Sequence, residues 1–255
     1  MRFEQIVRFN WPYYAGAAAA IVAALSLGPW LPFAWLRYLL YAGTSLVALW
    51  LVASLVVSWV VYDRSRLMDW DWVLQALGFT PSAWINLHAG HDQSSLALQH
   101  LFPDASGRIF DIYDPADMTE RSIAAARRLA GLHSKRELSR GRPIQLAEPA
   151  DYRHLPISKG TIDAAMLLLS AHELRSDEAR GALFAELRRV LGPGGRVVVA
   201  EHLRDWANFL AFGPGFFHFH SRRTWLRCFS RHRFDVHREF SITPFVRIFV
   251  LRRLT

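Results

Sequence analysis

The sequence predicts an α/β domain built on a doubly wound, mostly parallel sheet and preceded by a hairpin of two transmembrane helices. No charged residue lies between Arg8 and Arg37, and none between Arg37 and Asp63. Each gap exceeds the roughly 20 apolar residues that cross a hydrocarbon core. Beyond Asp63 charges return at soluble-protein density and no later apolar run is long enough to span. There, apolar runs of strand length alternate with helical patterns, the order of a parallel sheet covered on both faces.

The first span reads from about Trp11 to Trp30, with Trp11, Tyr13 and Tyr14 at one end and Trp30 and Trp35 at the other as interfacial aromatics. A cleavable signal peptide competes on the alanine-rich run Ala15 to Ala24, but a second span, about Leu39 to Val61, follows at once. The turn between them lies near Gly28-Pro29 and Pro32. Arg2 and Arg8 precede the pair, Arg64 and Arg66 follow it, and only Arg37 lies between. The positive-inside bias then puts both ends in the cytoplasm: a multi-pass protein of the inner membrane with its large domain inside. The chain divides into 1–62, the hairpin; 63–82, a juxtamembrane segment; and 83–255, the α/β domain.

The formal net charge is +8, and its arginines are spread through the domain rather than packed into a tail. Behind an anchor, this suits an anionic membrane surface. Nucleic acid is not expected as a partner, because the spans leave no room for an added recognition element. A single cysteine, Cys228, excludes an intrachain disulfide. The oligomeric state is not specified.

Strands are expected at Ala83 to Leu87, Arg108 to Ile112, Ile162 to Leu169, Arg196 to Ala200, Phe234 to Phe240 and Phe245 to Leu251, the last two as an antiparallel hairpin. Helices fit at Ser94 to Leu101, Thr119 to Leu132 and Ser176 to Leu191, and Ser134 to Arg142 reads as a basic surface connection. In such sheets ligands bind beyond the carboxyl ends of the strands. After the first strand comes Asn86-Leu87-His88-Ala89-Gly90-His91-Asp92, where a glycine lets the backbone approach a ligand closely. After the second comes Asp111-Ile112-Tyr113-Asp114-Pro115, offering a carboxylate for a pair of hydroxyls, although Asp114 equally suits a helix cap. Then follow Asp151-Tyr152, Leu155-Pro156 and Ile162-Asp163. Finally, Arg189-Val190-Leu191-Gly192-Pro193-Gly194-Gly195 joins a helix to the strand Arg196 to Val199, with Gly expected to end the helix in a left-handed conformation and Pro to block its continuation.

This order resembles class I S-adenosylmethionine-dependent methyltransferases over about Trp72 to Arg252, with "R-x-L-x-P-G-G" the best match. It departs from the family in its first loop, where His88 and Asp92 stand in glycine positions and Asn86 replaces an acidic residue. The resemblance implies a Rossmann-like, seven-stranded sheet and S-adenosylmethionine as cofactor. Its site would be formed by Asn86, His88, Gly90, one of Asp111 and Asp114 on the ribose, Asp151 and Tyr152 at the adenine, and Ser170.

Substrate groups should follow the fourth and fifth strands, at Ser170-Ala171-His172-Glu173 and Glu201-His202. Methyl transfer requires orientation first, and a base only for an acceptor that carries a proton. His172 leads as base, with Glu173 and His202 as further catalytic candidates; the alternative is that His172 only positions a loop. The aromatic stretch Trp206 to Phe219 supplies Asn208, Phe212, Phe216 and His218 as candidate substrate contacts, and reads as a flap, a membrane-facing surface or core packing. Neither His218 with His220 nor His88 with His91 makes a metal set alone, so no metal is expected. Arg222 to Arg233, interleaved with Trp225, Leu226 and Phe229, suits either a lipid headgroup layer or a solvated helix with one buried face. The expected activity is methyl transfer to a hydrophobic or membrane-resident small molecule, such as a lipid, quinone-like compound or lipophilic thiol. A tethered, non-catalytic binding or scaffold protein with a degenerate version of the fold is the alternative.

Overall fold

The structure, a computed structural model, describes residues 3–90, 92–120, 123–128, 130–131 and 147–254. Helix α1 (Phe3–Leu27) and helix α2 (Ala34–Trp59) pack against each other across the 3-10 turn Gly28–Trp30. The helical run Ala34–Asp69 is long and apolar enough to cross a membrane, with a mean hydropathy of 2.2 and only 11% of that window buried. Among the described residues it alone meets that test. Ahead of it, among the described residues, the apolar helical stretch Tyr14–Trp30 is shorter than a span of about 20 residues. The two-span expectation is therefore matched by one helix.

Past α2 the chain loosens into a π turn, Val60–Arg64, and a 3-10 turn, Arg66–Asp69, where the Ser65 hydroxyl accepts the Leu67 N–H. Trp70 then adopts φ 61, which reverses the chain into α3 (Trp72–Leu77). Val61, Leu67, Trp70, Trp72, Val73 and Leu77 are buried against Trp84, Met166, Val198 and Val250 on one face of the sheet. Each such side chain contributes about 1.5–3 kcal/mol by leaving water. The segment read as a juxtamembrane connector is thus a layer of the core, and it welds the apolar helix to the domain.

The sheet contains seven strands: β1 (Ala83–His88), β2 (Ser106–Asp111), β3 (Glu148–Pro149), β4 (Ile162–Leu168), β5 (Leu191–His202), β6 (Phe234–Thr243) and β7 (Val246–Arg253). Their order is β3-β2-β1-β4-β5-β7-β6. The first five run parallel, and β7 lies antiparallel between β5 and β6. Helices α4 (Ser95–Leu101) and α5 (Asp177–Val190) lie where the sequence places them, and 123–128 and 130–131 are helical within the expected Thr119 to Leu132. Helix α6 (Trp206–Phe212) lies in the aromatic stretch. Strand β3 was not expected, and Ser134 to Arg142 falls outside the described residues.

The Gly192–Gly195 step does its work differently from the expectation. Helix α5 ends at an extended Leu191 with ψ 127, and the left-handed residue is Gly194, with φ 77, inside the start of β5. A Cβ on Gly195 would come within 3.0 Å of the Ile162 and Asp163 carbonyls, so glycine here lets β5 close onto β4. Asp163 in turn accepts the Ser82 and Ala83 N–H groups, at 2.8 and 3.0 Å, and pins the start of β1. Helix α7 (Arg222–Arg231) buries Trp225, Cys228 and Phe229 in the core, so its apolar stripe faces the protein, the second of the two readings.

Candidate active site

The carboxyl ends of β1, β4 and β5 meet around a cavity of about 210 Å³. Its floor is His88, Ala89 and Gly90 after β1; its walls are Leu168, Leu169, Ser170, His172 and Glu173 after β4, with His202, Phe212 and Phe219. Tyr62, from the π turn that ends the apolar helix, closes one side. Leu169 is held at φ 58, a left-handed conformation that costs a β-region side chain of order 1–3 kcal/mol, and its N–H bonds the Ala200 carbonyl at 2.8 Å. This turns Ala171–Glu173 back over the cavity as a single 3-10 turn.

That turn is locked from beneath by Glu201, which is wholly buried at the end of β5. One carboxylate oxygen accepts the Ala171 and His172 N–H groups at 2.8 and 3.2 Å; the other takes His172 Nδ1 at 2.6 Å. His172 Nε2 faces Glu173 Oε1 at 3.5 Å, and His218 Nε2 faces the same oxygen at 3.7 Å. Burial by itself would lower the His172 pKa, but Glu201 and Glu173 on its two sides more than offset that and raise it to about 10. His172 thus carries its proton at neutral pH, whereas the sequence offered it as a base near working pH. Burial likewise works to raise the Glu173 pKa, and His172 and His218 outweigh it, holding the carboxyl well below the usual range.

His202 is the opposite case. Burial lowers its pKa first, the Phe245 carbonyl works against that, and the charge on His172 lowers it further, to about 4. Its Nδ1 lies 2.8 Å from the Phe245 carbonyl, which fixes the proton there. Nε2 is then an acceptor, and it receives the Tyr62 hydroxyl at 2.9 Å. His202 also stacks on Phe219, with ring centroids 4.9 Å apart.

Of the residues expected to hold a cofactor, His88, Gly90 and Ser170 line the cavity. Both ring nitrogens of His88 are buried without a hydrogen-bond partner, and the side chain borders the cavity rather than sealing it. Asn86 is buried and spends its amide N–H groups on the Ser94 and Ser95 hydroxyls at 2.9 and 2.7 Å, tying β1 to the start of α4. Ser170 donates to the Leu87 carbonyl at 2.8 Å. Asp111 is bound by Arg127, which also donates to the Ala89 carbonyl at 2.9 Å, so this carboxylate is linked to the loop under the cavity. Asp114 caps the Ala116 N–H at 2.9 Å, and Arg153 holds its carboxyl below the usual range. Arg153 also pairs with Asp117 and Asp151. Tyr152 is 1% exposed, packs in the core and donates to Asp117. Among the substrate candidates, Phe212 lines the cavity, His218 meets His172 and Glu173, Phe216 meets Phe209 edge to face outside it, and buried Asn208 bonds Asp205 and the Phe245 carbonyl.

A family model described as a methyltransferase domain matches residues 108–199. That stretch is a methyltransferase domain, and the sheet around it has the fold of S-adenosylmethionine-dependent methyltransferases. Similar solved structures include an S-adenosylmethionine-dependent methyltransferase from Aquifex aeolicus, 16% identical with TM-score 0.51, covering 74% of this chain and 93% of that one. The PH0226 protein of Pyrococcus horikoshii is likewise 16% identical with TM-score 0.51, covering 75% and 91%. Geranyl diphosphate C-methyltransferase from Streptomyces coelicolor, solved with Mg2+, geranyl diphosphate and S-adenosyl-L-homocysteine, is 17% identical with TM-score 0.50, covering 72% and 78%. No curated protein matches significantly.

The residues present fit the cofactor of this methyltransferase: the unpartnered His88 nitrogens and the Gly90 backbone border the cavity, with Asp111 one strand away. When bound, S-adenosylmethionine supplies an electrophilic methyl group on a sulfonium. Tyr62 was not singled out from the sequence, being hidden as the last residue of an apolar run, and Glu201 was named only within the stretch after the fifth strand, its one signal being an acid at the end of a strand otherwise buried.

Proposed function

We propose that this methyltransferase acts on a lipophilic acceptor that reaches the cavity from a membrane, the helical hairpin anchoring the chain in the inner membrane with its domain in the cytoplasm. The observation that carries this reading is that the apolar helix itself supplies a wall of the cavity, through Tyr62. The aromatic segment supports it at a second point. Trp50, in the middle of α2, donates to the Leu210 carbonyl at 2.8 Å and packs on Phe209. Gly213, at φ 57, lies so close to Trp50 that a Cβ would come 2.2 Å from the indole. Segment 206–217 is therefore laid along the apolar helix, and its Trp206, Leu210 and Phe217 point outward, 78%, 66% and 60% exposed. Holding the site at the bilayer raises the effective concentration of an acceptor dissolved there. Asp111, rather than Asp114, would take the ribose, since it is the carboxylate tied to the cavity loop.

The chain's own residues orient more than they react. His202 Nε2, where Tyr62 now donates, accepts a hydrogen bond from a proton-bearing acceptor, while Phe212 and Phe219 exclude water. The test is methyl transfer from labelled S-adenosylmethionine by the full chain in lipid nanodiscs, offered matched acceptors with and without a lipid tail. Leu210→Asp with Phe217→Asp should lower turnover of the lipid-tailed acceptor at least tenfold while cofactor binding persists. Equal turnover of the lipid-tailed acceptor in wild type and variant, or no preference of the wild type for the lipid-tailed over the soluble acceptor, would overturn the lipophilic reading.

A further inference from the structure

Neither approach to Glu173 Oε1, 3.5 Å from His172 Nε2 and 3.7 Å from His218 Nε2, is a hydrogen bond, since such bonds run 2.7–3.2 Å. They are close, however, to the edges of a metal coordination shell. With metal–nitrogen and metal–oxygen distances of about 2.0–2.2 Å, two ligands of a tetrahedral ion lie about 3.4 Å apart. All three ligand atoms of His172, Glu173 and His218 lie within 4.8 Å of one another. A second observation points to a missing partner: Glu173 Oε2 is buried and has no hydrogen-bond partner.

The surroundings are those of a metal site. His172 is oriented through Nδ1 by the buried Glu201, the carboxylate–histidine arrangement that fixes a ligand ring, and the ion would take the place of the proton on Nε2, which is released to solvent. His218 is held by its backbone, whose carbonyl accepts from Arg175, while Arg204 bonds the Phe217 and Phe219 carbonyls at 2.9 and 2.8 Å. Two of the three ligands line the cavity.

We propose that His172, Glu173 and His218 hold a zinc-type divalent ion whose fourth position opens into the cavity. Two imidazoles and one carboxylate suit zinc and its first-row neighbours, not magnesium, which takes an oxygen shell. The spacing of histidines along the chain concealed the set, because His218 pairs with His172 and Glu173 across the fold and not with His220. Its use, which rests on the methyltransferase reading above, would be to bind a thiol or phenol of the acceptor. Such a group coordinated to the ion loses its proton to solvent and stands as the nucleophile.

The test is titration of the chelator-treated full chain in detergent with Co2+, followed by visible absorption. One equivalent should bind with the intense bands of a tetrahedral ion, Zn2+ should displace it, and excess Mg2+ should not. His218→Ala and Glu173→Gln should each weaken Co2+ binding by about a hundredfold or more, whereas His237→Ala, exposed on β6, should leave it unchanged. Calorimetric binding of S-adenosylmethionine to each variant shows whether the cofactor site survives, so loss of the ion and failure of the methyltransferase reading are separate results. Absence of a stoichiometric Co2+ site in the wild-type chain overturns the proposal, as does unchanged affinity in His218→Ala.

Discussion

At the β1–β3 side of the sheet, carboxylates are partly exposed and face arginines: Asp111 with Arg127, Asp114 and Asp151 with Arg153, Glu148 with Arg108. At the β4–β5 side, Glu173 and Glu201 are buried and face histidines. Water screens the first set, so its members can exchange an arginine for a ligand hydroxyl at little cost. The second set is shielded, and each charge there depends on a fixed partner, the condition for orienting a reacting group. One edge is built to bind and release, the other to hold geometry.

Breaking the buried side should cost most. Glu201→Ala leaves the His172 imidazolium and two backbone N–H groups without their acceptor, so about 3–5 kcal/mol of stability should be lost. By contrast, Arg108→Ala, which removes an ion pair whose side chains are 36% and 51% exposed, should cost under about 1 kcal/mol. Chemical denaturation of the two variants side by side makes the comparison, and equal losses would erase the distinction between the edges.

The next effect is in pH. His202 is buried and neutral, with its pKa brought from 6.5 to about 4. An unfolded chain takes up a proton there below pH 6.5 that the folded protein refuses, so the stability His202 lends is complete above 6.5 and is lost as pH falls toward 4. At 1.36 kcal/mol per pH unit that amounts to about 3 kcal/mol. Unfolding midpoints of wild type and His202→Gln measured from pH 7 to 4 should converge by that amount. Parallel curves would show that His202 is not held neutral.

The smallest effect belongs to the exposed side. Asp111→Asn should weaken S-adenosylmethionine binding about tenfold, roughly 1.4 kcal/mol, with little change in stability, whereas Asp114→Asn should not alter it. Titration calorimetry separates them, and the reverse order would move the ribose contact to Asp114.

The sheet was legible in the chain because its signals are local. Apolar runs bounded by Gly, Pro and Asp place β1, β2, β4, β6 and β7 to within a few residues, whereas β5, expected from Arg196, begins five residues earlier at Leu191, inside the motif Arg189 to Gly195. Strand β3, of two residues, is too short to carry a pattern. The packing of the segment after the apolar helix was not legible, because Trp70, Trp72 and Leu77 have no periodicity of their own and are buried against a sheet face formed later in the chain.

What the sequence determined by itself was an apolar N-terminal helical region followed by alternating strands and helices, which composition and spacing carry in every short stretch of chain. The cofactor came from the resemblance of its loop motifs to a known family. Only the tertiary structure decided that Tyr62 reaches His202 across 140 positions, that Glu201 locks His172 across 29, and that His218 rather than His220 meets Glu173. Protonation followed from the same contacts: one buried histidine is charged because carboxylates surround it, and another is neutral because none does. Burial and long-range pairing set those fields, and neither is a property of a residue's neighbours along the chain.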